Sequence, residues 1–267
     1  MTLPLAITSR DNPLLKRLRV LAQDSTAYRK QGQVWLEGDH LCRALLTRGH
    51  RPSTAVFTEA GWARAPHDLR DASDHVVTVP QALMTGISGL ESPADMGFVW
   101  DLPAFGAPQT GLASVVLDRL QDAGNVGSIL RSAAAFGFGQ VLALKGTAAL
   151  WSPKVVRAGM GAHFGLTLVE GLAAHDLASL GVPLIVTSSH QGDWLHVGEL
   201  PWPCAWVLGH EGQGVGTALE TMAERRVRIA QPGGEESLNV AAAAAICLHA
   251  SAVQRAVGEG SPTDAGL

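Results

Sequence analysis

The sequence predicts an α/β protein in two parts: a small mixed domain, then a larger one built on a mostly parallel sheet with helices on both faces. Three observations carry this. In the second half, short apolar runs (SVVL, QVLAL, FGLTLV, PLIVTS, CAWVLG, RVRIA) alternate with helical stretches, the pattern of strands covered on both sides. A shorter alternation precedes them. Between the two, residues 101–111 (DLPAFGAPQTG) hold two prolines and two glycines and no apolar period, as a linker does. The expected division is therefore 1–104, a linker at 105–110, a main domain at 111–258, and a loose polar tail at 259–267. A chain of 267 residues, 46% hydrophobic and 16% charged, is globular and can bury a core in each part.

In the first part, residues 8–31 read as an amphipathic basic helix. Pro13 sits just inside its start, Leu14, Leu18 and Leu21 share one face, and Lys16, Arg17 and Arg19 lie elsewhere. VWLEG is a short strand, and DHLCRALLTRG is a helix stopped by Gly49. TAVFT, HVVTV and MGFVW are further strands, with PQALMTGIS among them, completing a small α/β domain.

The main domain opens with LDRLQDAGNVGSILRSAAAFGFG, 117–139. A strand ends near Leu117, Gly124, Asn125 and Gly127 supply turn and cap chemistry, and a helix follows from about Ser128 to Phe136. That helix carries Arg131 among Ile129, Leu130 and the run Ala133–Ala135, so its guanidinium needs an anionic or carbonyl partner, or water. SPKVVRAG has Ser152 placed to cap and Pro153 in the first turn. WVLGHEGQGV reads as a buried strand entering a Gly-rich turn. RVRIAQPGGEESLNVAAAAA reads as strand, loop and a long helix from about Leu238 to Val257, in which Ala241–Ala245 allow close packing. Asn125 and Ser237 both read as helix caps, with Glu235 and Glu236 favourable beside the last helix's positive end, and Glu211 reads as a turn acid.

Composition and spacing exclude several classes. Cys42, Cys204 and Cys247 are odd in number and far apart, which argues for buried apolar roles and against a disulfide framework or zinc site; no metal is expected. No apolar run near the roughly 18 residues of a membrane span is seen, and the opening lacks a signal-like pattern, so a cytoplasmic protein with no membrane partner is expected. The glycines fail a dinucleotide fingerprint: Gly137 and Gly139 are followed by Leu142, and Gly212 and Gly214 by Thr217. Net charge is −4, yet residues 1–52 hold nine Lys or Arg against four acids, leaving −9 on the rest. A basic amino-terminal part on an acidic body suits contact with nucleic acid phosphates, with Arg10, Lys16, Arg17, Arg29 and Lys30 as candidates.

Three segments together resemble the motifs of the SpoU/TrmH family of RNA ribose 2′-O-methyltransferases, in the SPOUT superfamily. The pattern is met at Asn125, Gly127, Arg131, Phe136 and Gly137, then at Gly209, Glu211 and Gly212, then at Ser237, Leu238 and Asn239. The opening, ITSRDNPLLKRLRVL with VWLEGDHLCRALL, is similar to the ribosomal-protein-like substrate-binding domain that many relatives carry. The resemblance implies a deep trefoil knot in the last third of the chain, S-adenosylmethionine as cofactor, and a homodimer through the carboxyl-terminal domain. It implies cofactor contacts around Leu208, Gly209, Gly212, Ile229 and Leu238, and a catalytic set of Asn125, Arg131, Glu211, Ser237 and Asn239. A guanidinium is a poor general base, so Arg131 is expected to grip the phosphate beside the target ribose, which also makes it an RNA contact. The two-domain layout leans toward ribosomal RNA over transfer RNA. The alternative is a non-catalytic RNA-binding protein that keeps the knot. Departures from the family pattern are His210 where Asn is common, and Ala123 and Ala230 where Pro is common.

Overall fold

The computed structural model describes residues 3–104, 106–188, 191–233 and 237–258; the expected tail 259–267, and Glu235 and Glu236, lie outside the described residues. In chain order the elements are β1 (Leu5–Ala6), α1 (Pro13–Gln23), α2 (Ala27–Gln31), β2 (Gln33–Glu37), α3 (Asp39–Thr47), β3 (Thr54–Thr58), α4 (Glu59–Arg64), α5 (His67–Arg70), β4 (Val76–Val79), α6 (Gln81–Ile87) and β5 (Met96–Asp101). They continue with β6 (Ser114–Leu117), α7 (Ala123–Ala135), β7 (Gln140–Leu144), α8 (Pro153–Gly159), β8 (Thr167–Leu172), β9 (Leu184–Thr187), β10 (Asp193–Trp194), β11 (Ala205–Leu208), α9 (Thr217–Met222), β12 (Arg225–Arg228) and α10 (Val240–Gly258). Contacts divide the chain into two units: Met1–Phe105 with Trp151–Phe164, and Gly106–Leu150 with Gly165–Leu267.

The first unit holds a five-stranded sheet in the order β1-β4-β3-β5-β2, with β5 antiparallel to both of its neighbours and the other pairs parallel. Helix α1 begins at Pro13, where a missing N–H is harmless, and Asn12 caps it by accepting from the Leu14 amide at 2.9 Å. Its buried stripe is Leu15, Leu18 and Leu21; Leu14, expected on that face, is only half-buried at its edge. Lys16 and Arg17 point the other way, into solvent.

Helix α8 has the expected Ser152 cap and leading Pro153, but its placement corrects the linear division. Segment Trp151–Phe164 belongs to the first unit rather than to the domain expected at 111–258. The reason is aromatic packing. Trp151 and Phe164 lie against Trp100 of β5, with ring centroids 5.6 and 5.5 Å apart, and Trp151 also meets His163 at 4.9 Å.

The second unit is a seven-stranded sheet in the order β10-β12-β9-β11-β6-β7-β8, and every pair is parallel. The chain lays β7 and β8 on one side of β6, then crosses to place β9 on the other, with β11 later filling the position between β9 and β6. Alternate residues face opposite layers. Val116, Val186, Ala205 and Val207 join one cluster with Leu177, Leu180 and Leu219. From the same strand β11, Trp206 donates through Nε1 to Ser251 Oγ on α10 at 2.9 Å.

Two helix starts differ from expectation. Helix α7 begins at Ala123, not Ser128, because Asp122 is its cap: Oδ1 accepts from the Asn125 amide at 2.7 Å, so Gly124 and Gly127 are helical rather than turn residues. Helix α10 begins at Val240, and its cap is Asn239 rather than Ser237: Asn239 Oδ1 accepts from the Ala241 and Ala242 amides at 2.9 and 3.2 Å. By length and composition α10 could cross a bilayer, contrary to the expectation of no such run. Here it buries Ala244, Cys247, Leu248 and Ser251 within the second unit.

Candidate active site at the carboxyl ends of the parallel strands

Loops leaving β6, β11 and β12 build the site, as loops at strand ends beside a change of strand order do in open parallel sheets. From β6 the chain passes to Asp122 and the first turn of α7, which carries Asn125. From β11 it enters a tight turn, Gly209–Gly216, closed by paired backbone hydrogen bonds between His210 and Gly214 at 3.0 and 2.8 Å. Only glycine fits at 209, since a Cβ there would lie 2.3 Å from the Gly214 carbonyl carbon. From β12 the chain runs through Ile229 to Asn239 at the head of α10.

The three loops meet in one hydrogen-bonded chain. Asn239 donates through Nδ2 to Asn125 Oδ1 at 3.0 Å, and Asn125 donates through Nδ2 to Glu211 Oε1 at 3.4 Å. The Asp122 amide also donates to Glu211 Oε1 at 3.4 Å. Partial burial of the Glu211 carboxyl opposes ionisation, but hydrogen bonds from its own amide, from Asn125 and from the Asp122 and Gln121 amides outweigh it and hold the group below the ordinary value. Glu211 is thus a fixed carboxylate.

Beside this chain lies a cleft of about 330 Å³. Of the residues expected to hold a cofactor, Gly209, Ile229 and Leu238 line it. Leu208 does not: it is fully buried in β11, and its carbonyl accepts from the Asp118 amide at 2.9 Å. Gly212 does not either, because its amide is turned to His210 Nδ1 at 3.0 Å. Of the catalytic candidates, Glu211, Ser237 and Asn239 line the cleft, and Asn125 joins them through its hydrogen bonds. Arg131 stands apart. It is exposed on the solvent face of α7 with Gly124 and Ser128, and makes no hydrogen bond or ion pair among the described residues. Its charge is therefore met by water, one of the expected resolutions.

The basic candidates of the first unit, Arg10, Lys16, Arg17, Arg29 and Lys30, are all exposed. Lys16 pairs with Asp11 at 3.0 Å, and Arg29 donates to the Tyr28 hydroxyl at 3.2 Å.

Sequence reasoning missed three features. Buried Asp118, at the end of β6, pairs with Arg119 Nε at 2.9 Å and accepts from the Gly216 amide at 2.7 Å. Arg119, in a left-handed conformation with φ 61°, donates on to Gln213 Oε1 at 3.1 Å, so the pair clamps the β11 turn to β6. An acid directly after an apolar strand was the available signal. His210 Nδ1 accepts from the Gly212 and Gln213 amides at 3.0 and 3.3 Å, which puts the ring proton on Nε2. Its ring does the work of an Asn or Asp oxygen in a side-chain-capped turn, giving the substitution at this position a structural sense. The third, Gln231, lines the cleft. Among the described residues no cluster of three or more His, Cys, Asp or Glu is placed to hold a metal.

These features define a parallel-sheet α/β protein whose cleft is closed by three separate sequence segments at the strand ends. Residues 113–249 match the sequence model of the SpoU rRNA Methylase family. The chain is 31% identical over 254 residues to an uncharacterized tRNA/rRNA methyltransferase of Synechocystis, covering 91% of this chain and 92% of that one. It is 30% identical over 220 residues to the 23S rRNA (guanosine(2553)-2'-O)-methyltransferase RlmP of Bacillus subtilis, covering 80% and 86%. A solved AdoMet-bound rRNA methyltransferase from Sinorhizobium meliloti is similar with a TM-score of 0.78 at 25% identity, covering 92% of this chain and 96% of that one. The protein belongs to the SpoU rRNA methylase family.

Proposed function

We propose that this protein transfers a methyl group from S-adenosylmethionine to a ribose 2′-hydroxyl of RNA, with ribosomal RNA as the substrate. One observation carries the reading: in a member of this family, Asn125, Glu211 and Asn239 converge from three distant segments at the mouth of one cleft. The relative from Bacillus subtilis is named for 2′-O methylation of 23S rRNA, and the similar structure from Sinorhizobium meliloti holds AdoMet.

The cleft fits that cofactor. Gly209 lets a ligand approach backbone, Ile229 and Leu238 offer apolar walls, and the Gln231 amide oxygen is buried with no partner among the described residues. Gly209, Ile229 and Leu238 would hold it, while Leu208 and Gly212 act one step back by fixing the turn. When bound, it supplies an electrophilic methyl group on a sulfonium. The chain's own contribution is placement. Asn239 and Glu211 lock Asn125 in one rotamer, and Ser237 offers a hydroxyl at the cleft wall. Arg131, free of any protein partner among the described residues, presents a planar double donor to the phosphate beside the target ribose and stabilises negative charge on its oxygen. The proton leaves to phosphate or water.

The reading has further parts. Residues 1–104 bind RNA through Arg10, Lys16, Arg17, Arg29 and Lys30. The last third of the chain is a trefoil knot, a reading supported by the insertion of β11 between β9 and β6. The protein is a homodimer through the second unit, since α10 exposes Ile246, Val253 and Val257 along one face. It works in the cytoplasm, where three buried free thiols, Cys42, Cys204 and Cys247, are at home. Mapping ribose methylation in total RNA from cells with and without the gene tests the function. One ribosomal position losing its methyl group is expected; an unchanged map contradicts it.

A further inference from the structure

We propose that His210 is a positioning residue of the cofactor cleft that serves only as a neutral imidazole, so that cofactor binding is linked to one proton. The inference rests on the cofactor reading above and gives the departure from the family pattern at this position a functional consequence. The turn after β11 forms one wall of the cleft through Gly209, His210, Glu211, Gly214 and Val215. Its base is closed by the paired backbone bonds between His210 and Gly214, and its tip needs separate support. The ring supplies it: Nδ1 accepts from the Gly212 amide at 3.0 Å and from the Gln213 amide at 3.3 Å, and neither amide has another acceptor among the described residues. One atom therefore sets the course of the tip, and with it the place of Glu211.

An imidazole nitrogen accepts a hydrogen bond only while it carries no proton. A proton on Nδ1 sets a donor against two amide donors, so both bonds are lost and the amides turn to water. A side-chain amide oxygen, which Asn would bring to this position, stays an acceptor throughout the range in which an imidazole titrates. The neighbours supply no substitute. Glu211, whose charge favours an imidazolium, is already committed to Asn125 and the Asp122 amide, and Arg119, which reaches the turn at Gln213 and opposes one, is paired with Asp118. Among the described residues, β9, β12 and the head of α10 bring no titratable side chain to the cleft lining. The ordered turn thus requires the neutral ring, so cofactor affinity is full at higher pH and falls as acid charges it. Glu211 takes up its proton below the ordinary value of 4.5, which leaves the imidazole range clear.

The test is calorimetric binding of S-adenosylhomocysteine to the full-length protein between about pH 7.5 and about pH 5.5, the span in which an imidazole changes charge, for wild type, His210→Asn and His210→Ala. Wild-type affinity should fall by about fivefold or more across this span, as one linked proton allows. His210→Asn keeps an acceptor for the two amides, so it should bind near the wild-type level at the upper end and change by about twofold or less below it. His210→Ala should bind more weakly at every pH and show no slope, with a thermal melt taken beside it to show that the chain is folded. Titration of the ligand's own groups is common to all three proteins and cancels in the comparison. A wild-type profile as flat as that of His210→Asn overturns the proposal, and so does a slope that survives in His210→Asn, which would place the proton elsewhere. Wild-type affinity in His210→Ala would remove the positioning role. Each of these results leaves the cofactor reading standing, whereas failure of wild type to bind the ligand at any pH removes both.

Discussion

Asn239 holds two helices with one side chain: its oxygen caps α10 through the Ala241 and Ala242 amides, while its nitrogen donates to Asn125 Oδ1 at 3.0 Å on α7. The cap is a stability function and the link to Asn125 is a positioning one, so the two separate by mutation. Asn239→Ala removes both and should lower stability by about 1 kcal/mol in urea melts, as loss of a cap does, with a large fall in turnover. Asn239→Asp keeps a capping oxygen, favoured by the helix's positive end, but loses the donor to Asn125. It should melt near wild type yet turn over at least about tenfold more slowly, the scale of a lost positioning contact. Equal turnover in Asn239→Asp and wild type would show that the link has no role in catalysis.

The Asp118–Arg119 clamp makes a prediction about the neighbouring turn. Removing Asp118 strips the Gly216 amide of its acceptor and Arg119 of its partner. Asp118→Ala should destabilise the protein by about 2 kcal/mol, moderated because Arg119 is partly in water. Hydrogen exchange should show the larger effect at 209–216 and leave β7 and β8 protected. Uniform loss of protection across the sheet would mean that Asp118 supports the whole unit and not the turn.

Glu211 gives a pH signature. Its carboxyl lies below the ordinary value of 4.5, because hydrogen bonds from its own amide, Asn125 and the Asp122 and Gln121 amides outweigh the opposing effect of burial. On acidification the unfolded chain therefore takes up the proton first. The contribution of these contacts is complete above about pH 5 and fades as pH falls through the native value. Urea midpoints of wild type and Glu211→Gln, measured from pH 7 to pH 3, should differ most at neutral pH and converge in acid. A gap that stays constant across this range would contradict the assignment of Glu211 as a fixed carboxylate.

Much of this architecture is legible in the chain itself. SVVL, QVLAL and CAWVLG announce buried parallel strands because apolar residues on both faces leave no polar alternation. Three motif segments mark the site because each follows a strand: Asn125 lies in the helix after β6, Glu211 in the turn after β11, and Asn239 at the end of the loop after β12. What stayed hidden depends on distant partners. Trp151 and Phe164 are ordinary apolar residues until Trp100 is known to lie beneath them, so segment 151–164 reads as part of the wrong unit. Gly124 and Gly127 suggest a turn on propensity, and the Asp122 cap overrides it. His210 and Gln231 look incidental in sequence. Only the fold shows that one ring nitrogen receives two turn amides and that Gln231 lines the cleft with its amide oxygen buried and without a hydrogen-bond partner among the described residues.

The proposed role of Arg131, exposed and without a side-chain hydrogen bond or ion pair among the described residues, is tested most directly by single-turnover methylation of ribosomal RNA by Arg131→Lys. Lysine keeps the charge and loses the planar two-pronged grip on phosphate. Because Arg131 is exposed and unpaired among the described residues, the variant should fold and bind S-adenosylhomocysteine as wild type does. Its methylation rate at saturating cofactor should fall by at least about a hundredfold, which corresponds to a loss of about 2.7 kcal/mol or more of transition-state stabilisation. A rate within a few-fold of wild type in Arg131→Lys, and again in Arg131→Ala, would contradict the account and leave Arg131 as a solvated helix residue.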